Sequence, residues 1–154
     1  MRGKRAQKRV IHGDIIFNNV IIEKFINNIM QSGKKSIARE IVYESLEKSS
    51  KDLNVDPVLL FSKVIENVSP SIEVKSRRVG GASFQVPTPI SEERQLVLAM
   101  RWIINAARSK RGNNMIVRLS EELSNAYNNT GDAIKKRNDV EKMAEANRAF
   151  SHLA

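Results

Sequence analysis

The chain has 154 residues, with 26 Lys and Arg against 17 Asp and Glu, a net charge of +9, and no cysteine. That length fits one domain, 1–154, with a real core, and the charge points to an acidic partner. The missing cysteines exclude a disulfide framework, a thiolate metal site and a cysteine nucleophile, and no apolar run approaches the roughly 18 residues needed to cross a bilayer, so no membrane partner is expected.

Residues 1–12 form a basic arm carrying Arg2, Lys4, Arg5, Lys8 and Arg9. It has no apolar stretch behind it, so it is not a secretory signal. Such charge density suits an arm laid on nucleic acid better than a solvated tail. Asn18-Asn19 can cap a first helix in which Val20, Ile21, Phe25, Ile26, Ile29 and Met30 recur at helical spacing, with Gly33 placed to stop it. After Lys34-Lys35 a second helix turns Ile37, Ile41, Val42, Ser45 and Leu46 inward and Glu40, Glu44 and Glu47 outward, ending near Ser49-Ser50. Asp56-Pro57, a cap followed by proline at the first helical position, starts a third helix with Leu60, Phe61, Val64, Ile65 and Val68, and Pro70 ends it.

The helical periodicity then breaks. Residues 72–90, centred on Gly80-Gly81, read as a β-hairpin, because two adjacent glycines supply the positive φ of a tight primed turn and the flanks are β-branched or aromatic. With the glycines central, Arg77 faces Phe84 and Lys75 faces Val86, and Pro87 and Pro89 close the ladder. An isolated two-stranded ribbon is marginal in water. Packing at its base and an anionic partner along its length are therefore expected to steady it.

Ser91-Glu92-Glu93 supplies a cap and two acids to the positive end of a fourth helix, buried through Leu96, Val97, Met100, Ile103, Ile104 and Ala107. On its other face Arg94, Arg101 and Arg108 fall seven apart on one stripe, which runs into Lys110-Arg111. A fifth helix buries Ile116, Leu119, Leu123 and Ala126. A sixth starts near Asp132, carries Lys135-Lys136-Arg137, and buries Val140, Met143, Ala144 and Phe150. The fold class is mainly α, a bundle of about six helices with a basic β-hairpin between the third and the fourth.

Five acid-free clusters (Arg2 to Arg9, Lys34-Lys35, Lys75 to Arg78, Arg108 to Arg111, Lys135 to Arg137) hold 16 of the 26 basic residues, leaving the rest of the chain at −7. Cations gathered into patches on an acidic body favour a phosphate backbone. Structured RNA offers phosphates, 2′-hydroxyls and unstacked bases. Against it, the clustered cations can bind phosphate, Gly80 and Gly81 let backbone approach backbone, and Phe84 offers a face to a base or else packs at the ribbon's base. For the single tryptophan, Trp102, core packing is the better reading. An architectural DNA-binding protein with basic β-arms remains open, although the prolines stand at the base of the ribbon rather than its tip. A regulator that binds a structured messenger leader would use the same surface.

Catalytic and metal chemistries fail on residue type. Around Gly33-Lys34, Lys35 stands where a phosphate-binding loop needs Ser or Thr, and Asn28 where it needs Gly. Asp52 to Asp56 opens like a calcium loop, but Pro57 replaces the required Gly and Lys63 the bidentate Glu. His12 and His152 have no local metal spacing. Glu92-Glu93 and Glu121-Glu122 point to different sides of their helices. No active site and no cofactor are expected.

Four ordered blocks carry a resemblance: Gly33-Lys34-Lys35; Asn67-Val68-Ser69-Pro70 through Val74 to Gly81 and on to Gln85-Val86-Pro87; Ala99-Met100-Arg101-Trp102; and Met143 to Phe150. Together they resemble the bacterial-type family of small-subunit ribosomal protein seven over nearly the whole chain. The resemblance implies six helices with a β-ribbon, primary binding to the 3′ major domain of 16S-type ribosomal RNA, and nucleation of the head of the small subunit. It also implies a place near exit-site transfer RNA and the messenger exit path, contacts with small-subunit proteins nine and eleven, and a cytoplasmic ribosome or an organellar one where the organelle encodes it. Arg148, inside the last block, joins the candidate RNA contacts. Two departures are expected: Ala149 to Ala154 is shorter than the aromatic and basic tail usual in the family, and Glu141 stands where relatives commonly carry a base or His.

Overall fold

The structure is a computed structural model that describes residues 3, 4, 6, 7 and 9–153. Arg2, Arg5 and Lys8 of the arm lie outside the described residues. In chain order the elements are α1 (Val20–Ile29), α2 (Lys35–Leu53), α3 (Pro57–Val68), β1 (Ile72–Val79), β2 (Ala82–Pro89), α4 (Glu92–Ser109), α5 (Met115–Tyr127) and α6 (Asp132–Ala146), followed by a terminal 3-10 helix, Arg148–Leu153.

The caps do what their side chains predict. Asn19 accepts from the N–H groups of Ile21 and Ile22 at 2.8 and 3.4 Å, and Asp56 from those of Val58 and Leu59 at 3.0 and 3.2 Å. Ser91 occupies the expected cap position of α4, yet its hydroxyl makes no capping bond. Helix α2 does not stop at Ser49-Ser50. It runs on to Leu53, because Ser49 Oγ donates to the carbonyls of Ser45 (2.8 Å) and Ser120 (3.0 Å), which ties α2 to α5 rather than breaking it. Asn54, in the left-handed region at φ 53°, ends it.

Helix α4 is central, touching α1, α3, α5 and α6. It therefore buries Leu98, Ala99 and Ala106 as well as Met100, Ile103, Ile104 and Ala107. Around it lie Ile22, Phe25, Ile26, Leu46, Leu60, Phe61, Leu119 and Leu123, with the rings of Phe25 and Phe61 5.1 Å apart. Four residues assigned to the core are exposed instead: Val20, Ile37, Val97 and Met143. Val20 begins α1 at the margin of its packed arc, and Ile22 takes the inward place. Val97 lies beside the arginine stripe, and α6 packs through Ala133, Ile134 and Ala144, leaving Met143 outside. Trp102 packs half-buried against the core.

The ribbon has the predicted register, Arg77 opposite Phe84 and Lys75 opposite Val86, around Gly80 (φ 57°) and Gly81 (φ 92°). Its ladder continues past Pro87 to the pair Ile72 and Pro89, since in a two-stranded sheet a proline's missing N–H can face outward. The ribbon is also steadied within the chain along its length, which the strand pattern did not foretell. Helix α6 packs on β1 and the terminal 3-10 helix on β2. Phe150 belongs to that 3-10 helix rather than to the face of α6, and its ring lies 5.2 Å from that of Phe84.

The arm leaves the body at a buried knot. Asp14 Oδ2 accepts from the N–H groups of Ile16 (3.1 Å) and Phe17 (2.9 Å) and from the Tyr43 hydroxyl (3.2 Å), while Oδ1 accepts from Asn19 N–H (2.9 Å). Burial alone would raise the Asp14 carboxyl, but the hydrogen bonds from Phe17, Asn19, Ile16 and Tyr43 together hold it below the ordinary value of 3.8. A lowered folded pKa stabilises the fold fully above the unfolded value, and that stabilisation is lost as pH falls through the folded pKa. Asp14→Asn is thus expected to destabilise by about 1–3 kcal/mol at neutral pH. In urea unfolding from pH 7 to pH 2, the gap to the wild type should close below pH 3.8; a gap constant with pH would refute this role.

Candidate nucleic-acid interface

Tertiary packing divides the candidate cations into two groups. Lys4, Arg9, Lys34, Arg78, Arg101, Arg111, Lys135 and Lys136 make no side-chain hydrogen bond or ion pair with the described residues, and all are exposed. The second group holds the protein together. Lys35 pairs with the buried carboxylate of Glu23, and Lys110 Nζ lies 3.0 Å from Glu122 Oε2, whereas Arg148, with Nη1 3.5 Å from Glu145, forms only an exposed pair and stays accessible. Arg137 donates to the Asn67 carbonyl and, at 2.8 and 3.1 Å, to Asn138 Oδ1, pinning α6 to the end of α3. It also lies 3.9 Å from Glu141, one turn on in α6.

Two clusters 74 residues apart in sequence meet at one end of the bundle. Arg108 Nη2 donates to the Ile29 carbonyl (3.1 Å), which sets the end of α4 beside the α1–α2 turn and its exposed Lys34. From there the arginine stripe runs along α4 through Arg101 to Arg94, about 21 Å at 1.5 Å per residue. Arg94 then joins the ribbon, its guanidinium 3.3 Å from Glu73 Oε2 while Lys75 Nζ lies 3.1 Å from Glu73 Oε1. Desolvation would raise the Glu73 carboxyl, but its bond to Lys75 and the charge of Arg94 hold it below the ordinary 4.5. It remains an anion that aims both cations at the base of the ribbon. Arg77 and Lys75 share the face of Phe84 and Val86, and Arg78 sits on the other.

Phe84 is half-buried and engaged with Phe150, the packing alternative rather than an open stacking platform. Gly80 and Gly81 stand in open space at the tip. Sequence reasoning missed Arg118, whose Nη1 donates to the Lys110 carbonyl (2.6 Å); it turned Glu121 and Glu122 to different sides of their helix, as they are, but gave no role to Glu122, which is fully buried. The bonds that tie Arg118 and Glu122 to other segments had no local signal, since the Lys110 carbonyl lies eight residues before Arg118 and Ala133 eleven residues after Glu122.

The family model described as ribosomal protein S7p/S5e matches residues 1–148. The chain belongs to that family. Small ribosomal subunit protein uS7 of Fervidobacterium nodosum is 52% identical over 153 residues, covering 99% of both chains. That of Thermosipho africanus is 53% identical with the same coverage. The protein of that name from Bartonella tribocorum is 54% identical over 98% of this chain and 97% of its own. As a uS7 family member the chain is a structural constituent of the small ribosomal subunit, an RNA-binding protein of translation and not an enzyme. No helix among the described residues is long and apolar enough to cross a membrane.

Proposed function

We propose that this protein is a primary RNA-binding protein of the small subunit, gripping the 3′ major domain of the 16S-type ribosomal RNA and nucleating the head around it. The observation that carries the reading is the cationic track described above, from Lys34 at one end of the bundle along Arg101 and Arg94 to a ribbon with an exposed glycine tip. A compact body with separated patches suits an RNA junction, where several helices present phosphates at different angles. The ribbon, reaching beyond the body, is assigned to the neighbourhood of exit-site transfer RNA and the messenger exit path. Small-subunit proteins nine and eleven are the assigned protein neighbours, in a cytoplasmic ribosome.

The test is affinity for the isolated RNA domain as a function of salt. With several phosphates neutralised, log affinity should fall against log salt with a slope of about −4 or steeper. Arg101→Ala should lower the magnitude of the slope by about one unit and leave the helical circular dichroism intact, because Arg101 is exposed and makes no bond that holds the body together. Arg108 is the poorer choice, since its bond to the Ile29 carbonyl is structural. A slope near zero in the wild type would overturn the proposal.

A further inference from the structure

A cavity of about 270 Å³ opens where the α1–α2 turn meets the α4–α5 loop. Its floor is apolar, formed by Ile29, Ala38, Ile41 and Met115, and its rim carries three cations, Lys34, Arg108 and Arg118. No acid lines it. Arg108 commits Nη2 to the Ile29 carbonyl, and Arg118 commits Nη1 and Nε to the carbonyls of Lys110 and Asn114. Both guanidinium planes are thereby held in place with further N–H donors left over. Lys34 makes no side-chain bond with the described residues, and Gln31, exposed at the edge, offers one acceptor and two donors.

An apolar floor under a purely cationic rim suits a ligand that is flat and uncharged in the middle and anionic at its margin. An unpaired nucleotide is such a ligand. At about 270 Å³ the cavity has room for a flat group the size of one base. Unstacked bases are what proteins seize in structured RNA.

We propose that this cavity binds one extruded nucleotide of the RNA, its base on the floor between Ile41 and Met115 and its phosphate on the guanidinium and ammonium groups of the rim. The proposal rests on the RNA-binding reading above and adds a base-accepting site to a surface otherwise read as a phosphate track.

Filling the cavity without removing charge tests it. Ile37, half exposed at the mouth on α2, and Met115, on α5, allow two independent plugs, Ile37→Trp and Met115→Trp. Each should weaken binding to the isolated RNA domain by about tenfold or more, the worth of one stacked base, while the salt slope stays at its wild-type value. Ultraviolet cross-linking of the wild-type complex should join one nucleotide, through its base, to residues 29–41 or 115–118, and the plugs should abolish that cross-link. A folded plug variant with wild-type affinity overturns the proposal, as does a wild-type complex cross-linked only elsewhere. A peptide of another protein cross-linked into the cavity in assembled subunits also overturns it. If neither variant folds, the wild-type cross-link map decides. Failure of the RNA reading itself would show first and separately, as a wild-type protein with no salt-dependent affinity.

Discussion

Replacing Arg78 to Ser83 by Asn-Gly, together with Arg77→Thr, should lower affinity for the RNA domain at least tenfold and leave the protein folded. The design keeps Arg77's position opposite Phe84, because joining the strands one residue out of step would turn every side chain to the other face of the ribbon. All residues from Arg77 to Ser83 are exposed, so the helical core loses nothing. The pair of Phe84 with Phe150 and the rungs from Ile72 to Ser76 remain. The cost in stability should stay within about 2 kcal/mol. RNA binding loses two arginines and the bare glycine tip that lets backbone come close. In assembled subunits the same variant should hold exit-site transfer RNA more weakly. Thermal unfolding and binding to the isolated RNA domain are the two measurements. A well-folded variant that binds as the wild type does would move the weight of recognition to the α4 stripe and the arm.

Glu122→Ala should be the most destabilising single substitution of a polar residue, lowering Tm by about 10 °C. Glu122 is fully buried, Oε1 accepting from Ala133 N–H at 2.9 Å and Oε2 facing Lys110 Nζ at 3.0 Å. Its position explains an oddity of α6. That helix begins after Gly131, which has no side chain to cap it, so a carboxylate from α5 supplies the missing acceptor and sets an anion at the positive helix end. Gly131 has φ +92°, and a Cβ there would lie 2.9 Å from Glu122 Oε1, so the glycine makes room for the acid that replaces its cap. Breaking a buried ion pair costs about 3–5 kcal/mol. The lower end applies here, because the Lys110 side chain is 22% exposed and can reach water. At about 2–4 °C per kcal/mol for a protein of this size, the shift is about 10 °C. Glu122→Gln keeps an acceptor for Ala133 and should lose about half as much. An Ala variant melting within about 2 °C of the wild type would show that water replaces the carboxylate at no cost.

What could be read from the residues alone was whatever a few neighbouring positions decide among themselves. Gly80-Gly81 specified the primed turn, and the turn fixed which residue faces which across eight rungs. Asn19 and Asp56-Pro57 announced their helices, because a cap is a bond between a side chain and backbone two or three positions on. The stripe of Arg94, Arg101 and Arg108 followed from the helical repeat. Tertiary structure decided which of the clustered cations are available to a partner. Lys35, Lys110 and Arg137 look like Lys34, Arg111 and Lys136 in sequence, yet each of the first three is tied to another element, through Glu23, Glu122 or the Asn67 carbonyl. Charge density is a property of the segment; the partner of a given charge is a property of the packing. The same holds for the apolar residues. Ile22 and Val20 share a helix and a hydropathy, and only the positions of α2 and α4 beside α1 place one at zero exposure and leave the other at 41%.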